Sequence, residues 1–286
     1  MNKPDYKTVF ITSTATPEFL ELRADLKHSL GRAGDTETEY REALTKDNMP
    51  GPLRVISIAT RRADGSVGSY VIDVRDIPKG DERLSQLFTN EDGSLMTIDG
   101  YNANFDDTVL STAGIPVRWW DVQFADSILR TGRAGITFHR PLSNVAYFDL
   151  DMEIDGKGEI QTSYDMECDL TEEQVAYAAS DAVVTLLGGE LTRARLADED
   201  AQFPGISNLV DTAEFMMKSR RWVHAMMSNG VPVQYAQYLA DRITPHRVKM
   251  AELAHELALL TGQVPDDEDV VDISSGTAVE TKRLLT

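Results

Sequence analysis

The chain has 286 residues, enough for one large domain with an appendage, and 28 basic against 47 acidic residues set its formal charge at −19. So acidic a balance argues against a broad phosphate-binding surface but allows a cleft that grips a few nucleotides through cations, local basic groups and aromatic rings. A single cysteine, Cys168, excludes an intramolecular disulfide, and with no apolar leader and no run near 20 apolar residues the expectation is an intracellular protein without a membrane partner.

In chain order, Thr16-Pro17-Glu18 marks the start of a first helix. Ser29-Leu30-Gly31-Arg32-Ala33-Gly34 follows as a poor strand by composition and leads into Asp35-Thr36-Glu37-Thr38. Asp35 and Glu37 are two apart, so on a strand both side chains leave one face and can reach one shared cation. Residues 39–52 are polar and read as a long loop flanking the cleft. Arg54-Val55-Ile56-Ser57-Ile58-Ala59 and Ser69-Tyr70-Val71-Ile72-Asp73, around the turn Ala63-Asp64-Gly65-Ser66, predict a hairpin.

A short apolar strand, Leu95-Met96-Thr97-Ile98, precedes Asn102-Ala103-Asn104-Phe105-Asp106. A helix is expected over 105–112 with Asp106 as its first-turn acid. Mostly helical connections then reach Leu170-Thr171-Glu172-Glu173-Gln174, where a helix begins that carries Tyr177 and Asp181 four residues apart on one face. Past Ala197-Asp198-Glu199-Asp200-Ala201 the pattern is purely helical: one helix over about 207–228, a break at Asn229-Gly230-Val231-Pro232, and a second helix over about 233–260. The chain therefore divides near residue 200, into an α/β domain over 1–200 and a helical extension over 201–286. On its bland reading the extension is an amphipathic pair packed on the core, with Met216, Met217, Met226 and Met227 filling gaps. The five histidines are scattered and read as structural or surface residues.

Singly, each acidic block is commonplace. Together Asp35, Glu37, Asp106 and Asp181 have the make-up of a two-metal phosphodiesterase site, with carboxylates holding cations on either side of a scissile phosphate. In order and context the blocks resemble the three exonuclease motifs of the DnaQ-like superfamily. The subtype is the one whose third motif carries tyrosine, since no histidine lies four or five residues before Asp181. The hairpin is similar to the second and third strands of that fold, and Lys157-Gly158-Glu159-Ile160-Gln161-Thr162-Ser163 with the Tyr177 helix is similar to the closing segment of ribonuclease D and polymerase I proofreading domains. Met226-Met227-Ser228-Asn229-Gly230-Val231-Pro232-Val233, then Leu260-Thr261-Gly262 and Val271-Asp272-Ile273-Ser274-Ser275-Gly276, resembles the passage into the thumb of A-family DNA polymerases.

The resemblance implies a ribonuclease H-like α/β fold with a central mixed sheet, followed by an all-helical C-terminal extension. It implies that Asp35, Glu37, Asp106 and Asp181 hold two divalent ions, Mg²⁺ or Mn²⁺, while Tyr177 orients the attacking water. Asn102 and Phe105 would shape the terminal-nucleotide pocket, with Asp126 and Gln161 as outer supports. The expected reaction is 3′-to-5′ hydrolysis of single-stranded DNA ends to nucleoside 5′-monophosphates in the cytoplasm of a bacterial or phage-infected cell. With no palm or fingers before Thr286, the expected partner is a separately encoded polymerase chain, and the expected role is that of a proofreading subunit or one part of a split polymerase. Two other readings share these residues: a ribonuclease D-like RNA-trimming enzyme and a non-catalytic assembly module.

Overall fold

The computed structural model describes residues 6–40, 51–131, 140–152, 158–229, 249 and 253. The interior of the 39–52 loop, the break at 230–232 and the helix expected over 233–260 lie almost wholly outside them. Among the described residues there are six strands: β1 (Thr8–Ile11), β2 (Gly31–Thr38), β3 (Leu53–Arg61), β4 (Val67–Asp73), β5 (Thr97–Gly100) and β6 (Arg118–Asp121). The helices are α1 (Pro17–His28), α2 (Glu82–Ser85), α3 (Asn104–Thr112), α4 (Val122–Arg130), α5 (Leu142–Leu150), α6 (Glu172–Gln202) and α7 (Leu209–Asn229). The strands form one sheet in the order β1-β4-β3-β2-β5-β6. The β2–β3 and β3–β4 pairs are antiparallel, and the β1–β4, β2–β5 and β5–β6 pairs are parallel. The sheet is mixed, as expected for a ribonuclease H-like exonuclease fold, and the C-terminal part is helical.

The hairpin turns where its sequence says it should, with Gly65 at φ +86° and the Asp64 carboxylate accepting from the backbone N–H and hydroxyl of Ser66. Two strands carry no signal of their own in the sequence. β1 and β6 are four residues each, too short to show a period of two, and β6 interrupts a stretch that reads as helical connection. β5 also starts two residues later than its apolar run.

Strand β2 is the informative departure, because its composition opposes a strand and the structure needs that composition. Gly31 and Ala33 face α6, where Ala33, Ala59, Ala182, Val183 and Leu186 form one core cluster. A Cβ at Gly31 would stand 3.2 Å from Leu186 Cδ1. Small residues on strand and helix let α6 lie close on the sheet, with Ala178 and Ala179 likewise against Val55 and Val71. On the other face Phe19, Leu22 and Leu26 of α1 and Leu110 of α3 pack on Ile56, Ile58, Tyr70, Ile72 and Ile98. That core anchors α1, which Thr16 caps through the Phe19 N–H.

Helix α6 begins with a capping box between Thr171 and Gln174 and runs for 31 residues along the sheet. Beyond it Leu209, Ala213 and Met217 of α7 join Trp120, Val122, Ala125 and Leu196 in a cluster that also backs Tyr101. Residues Met1–His224 form one compact unit and Ala225–Thr286 a second. Among the described residues no helix is long and apolar enough to cross a membrane.

Candidate active site

Alternation along β2 sends Asp35 and Glu37 to the α6 side of the sheet and Thr36 to the opposite side. Asp35 pairs in register with Ser57, and Glu37 with Val55. From α6, Asp181 completes the group: one carboxylate oxygen from each of Asp35, Glu37 and Asp181 lies within 4.8 Å of the others. Asp106, 3 % exposed in the first turn of α3, is tied to β2 from the other side. Its Oδ1 accepts the Thr36 N–H at 2.9 Å and the Thr36 hydroxyl at 2.7 Å.

The charges of this centre oppose one another. Burial, then the carboxylates of Asp106, Glu37 and Asp181, push Asp35 well above the usual carboxylate range. Burial, then Asp181 and Asp106, push Glu37 up to about 9. Burial raises Asp106 to about 6 against the lowering effect of the two Thr36 bonds. Such a cluster ionises fully only when a cation shares it, so the donor set fits divalent metal ions bound by hard oxygen ligands.

Tyr177, one turn before Asp181, is buried, and its phenol donates to the Asp181 carboxylate. Burial and the negative charge of Asp181, Glu37 and Asp35 hold its pKa far above that of a free phenol, so it remains a donor. A second buried phenol, Tyr164, donates to the Gln174 carbonyl at 2.9 Å, while its own carbonyl accepts the Tyr40 N–H at 3.0 Å. Fully buried Arg54 donates to Asp73 at 2.8 Å and to the carbonyls of Asp165 at 2.6 Å and Cys168 at 3.0 Å. These bonds fasten the loop from which α6 starts.

Asn102 is exposed and left-handed, with φ +57°, and Phe105 is 44 % exposed beside Asp106. The Asp121 carboxylate holds their loop, accepting the N–H groups of Asn102 at 3.3 Å, Ala103 at 3.0 Å and Phe124 at 3.0 Å. The Asp121 N–H in turn points at the Met217 sulfur of α7, 3.3 Å away. Asp126 pairs with Arg130 at 2.7 Å and Arg140 at 3.1 Å, and Gln161 is exposed in the turn at residues 158–162. Thr36, Tyr164 and Asp121 were not singled out from sequence. Only Asp121 carried a local signal, as a capping acid ahead of an apolar helix.

A family model described as 3′–5′ exonuclease matches residues 12–191. Among solved structures, NrnC of Brucella melitensis bound to pGG is similar over 80 % of this chain and 95 % of that one, with 19 % identity and a TM-score of 0.55. The same protein with bound Mg²⁺ gives 21 % identity over 79 % and 94 %, also at 0.55. Ribonuclease D of Trypanosoma brucei gives 15 % identity over 70 % and 74 %, at 0.52. No curated protein matches the chain in sequence. The neighbours share the fold, the family match spans all three motifs and bears out the DnaQ-like resemblance, and the chain belongs to the 3′–5′ exonuclease family of phosphodiester-hydrolysing enzymes.

Proposed function

We propose that the protein removes nucleoside 5′-monophosphates one at a time from 3′ ends of single-stranded DNA, using two divalent ions, Mg²⁺ or Mn²⁺, held by Asp35, Glu37, Asp106 and Asp181. The observation that carries this is the convergence of three carboxylates from β2 and α6 within 4.8 Å, with Asp106 tied to the same strand. When bound, such ions lower the pKa of a water and neutralise charge on the scissile phosphate and leaving oxygen.

The protein's own groups then have separable tasks. Asp35 and Glu37 form a fixed wall on the sheet, and Asp181 closes it from the helix. Tyr177 stays protonated and donates its hydrogen bond to Asp181, which leaves its oxygen lone pairs to accept from the attacking water and turn that water toward phosphorus. Exposed Phe105 offers a face on which a terminal base stacks, and Asn102 offers amide groups beside it. The preference for DNA, and a polymerase chain as partner, are supported by the sequence likeness of residues 226–276 to the start of an A-family thumb. The fold shared with ribonuclease D keeps RNA trimming as the competing outcome.

Digestion of 3′-labelled and internally labelled DNA and RNA, matched and mismatched, with and without Mg²⁺, tests the reading. Stepwise release of mononucleotides from DNA 3′ ends is expected only with metal, and Asp35→Ala and Asp181→Ala should each lower it by several orders of magnitude, roughly the scale of removing a metal ligand. Faster release from RNA overturns the DNA assignment. Near-normal turnover in Asp181→Ala overturns the site.

A further inference from the structure

Between the two acids of β2 sits Thr36, 5 % exposed and on the face of the sheet away from them. Both of its donors, the backbone N–H at 2.9 Å and the hydroxyl at 2.7 Å, converge on a single oxygen of Asp106. A carboxylate oxygen has two lone pairs, so Oδ1 is saturated and the plane of the carboxylate is fixed. A cation approaching Asp106 must then be met by Oδ2. The backbone bond alone would leave that plane free to swing, whereas two donors from one residue fix both distance and direction.

We propose that Thr36 is a positioning residue that registers the second-motif carboxylate against the first-motif strand, so that Asp106 presents Oδ2 to a cation shared with Asp35. The inference rests on the reading of the four carboxylates as metal ligands. Thr36 touches neither substrate nor the attacking water; it acts through Asp106. Its place in the strand supplies the coupling: one pleat sets Asp35 and Glu37 on one side, and the residue between them reaches through to α3 on the other.

Thr36→Val keeps the branched shape and the backbone N–H and removes the hydroxyl, and Thr36→Ser keeps the hydroxyl. Partners that orient metal ligands are typically worth about 10- to 100-fold in affinity or activity. In the Val variant kcat should fall at least about tenfold and calorimetric titration should show Mn²⁺ binding at least about tenfold weaker, while KM for an oligonucleotide and the melting temperature of the metal-free protein stay at wild-type values. Thr36→Ser should restore both losses. If Val matches wild type in kcat and Mn²⁺ affinity to within that margin, or Ser is as impaired as Val, the assignment is overturned. It is likewise overturned if the loss of activity only follows a loss of folded protein by circular dichroism. Should Val fail to fold, Thr36→Ala is read against the same limits. Failure of the underlying reading looks different: Asp35→Ala would then retain metal-dependent release or bind Mn²⁺ like wild type.

Discussion

At Glu37 a carboxylate is held where its charged form is disfavoured, and the consequence can be read in stability. Its pKa rises from 4.5 in an unstructured chain to about 9 in the fold. Between those values the folded state binds more protons than the unfolded state, so stability is fully present below about pH 4.5 and is lost as pH rises toward 9. Asp106, raised to about 6, adds to the lower part of the same window. In chelator the melting temperature should therefore fall steadily from about pH 5 to about pH 9, and saturating Mg²⁺ should flatten the slope because a cation bound only by the folded state replaces the protons. A flat profile in chelator would show that burial and the neighbouring carboxylates do not hold these protons as described. For the same reason Asp35→Asn should melt higher than wild type without metal while losing activity, a direct comparison of two melting curves. The acids proposed as ligands were legible because Asp35 and Glu37 stand two apart on a strand and Asp181 follows Tyr177 by four on a helix. Thr36 was not, since a threonine between two acids looks like any strand residue until the partner across the sheet is known.

Among the elements, β2 shows how far composition misleads. Gly31-Arg32-Ala33-Gly34 is a strand in which Gly31 and Ala33 answer to α6, so a substitution there that raises strand propensity should harm it. Gly31→Val puts methyl groups into Leu186, already 3.2 Å from a bare Cβ, and should destabilise the protein by about 1–3 kcal/mol in a denaturant titration. A gain in stability would mean that α6 moves aside. Gly189 is tighter, since a Cβ there would run into Asp99 Oδ2, whose carboxylate is held by both terminal guanidinium nitrogens of Arg193. Helix α6 was easy to place, because Thr171 and Gln174 advertise its start and the apolar face repeats for many turns. The four-residue strands were not, because their register comes from neighbours: β6 lies along β5 from Thr97↔Arg118 to Gly100↔Asp121. The hairpin was legible because its turn carries its own chemistry in Asp64 and Gly65.

Over the whole molecule a formal charge of −19 faces a polyanionic substrate. Most nucleic-acid proteins lose affinity as salt rises, because they release counterions from phosphates. Here the net charge opposes the approach, so at fixed saturating Mg²⁺ kcat/KM on a short oligonucleotide should rise as monovalent salt increases from about 10 mM to about 150 mM and the Debye length shrinks. A steep fall would reveal a basic track. Truncation gives a second test at this scale. Cutting the chain after residue 206 removes Leu209, Ala213 and Met217 from the cluster behind Tyr101, so the truncated protein should melt well below wild type and lose activity with its fold.

The joint between Asp121 and Met217 also orders events in time. One carboxylate gathers N–H groups 18 and 19 positions back along the chain, yet its own N–H waits for a sulfur 96 positions ahead. Synthesis runs from the N-terminus, and distant contacts form only after their loops close. A chain synthesised as far as residue 191, the end of the family match, contains all four carboxylates and still lacks Leu196, Ala213 and Met217. The four acids are therefore in the chain before the residues that back their loop, and that backing is the last part of the centre to be made.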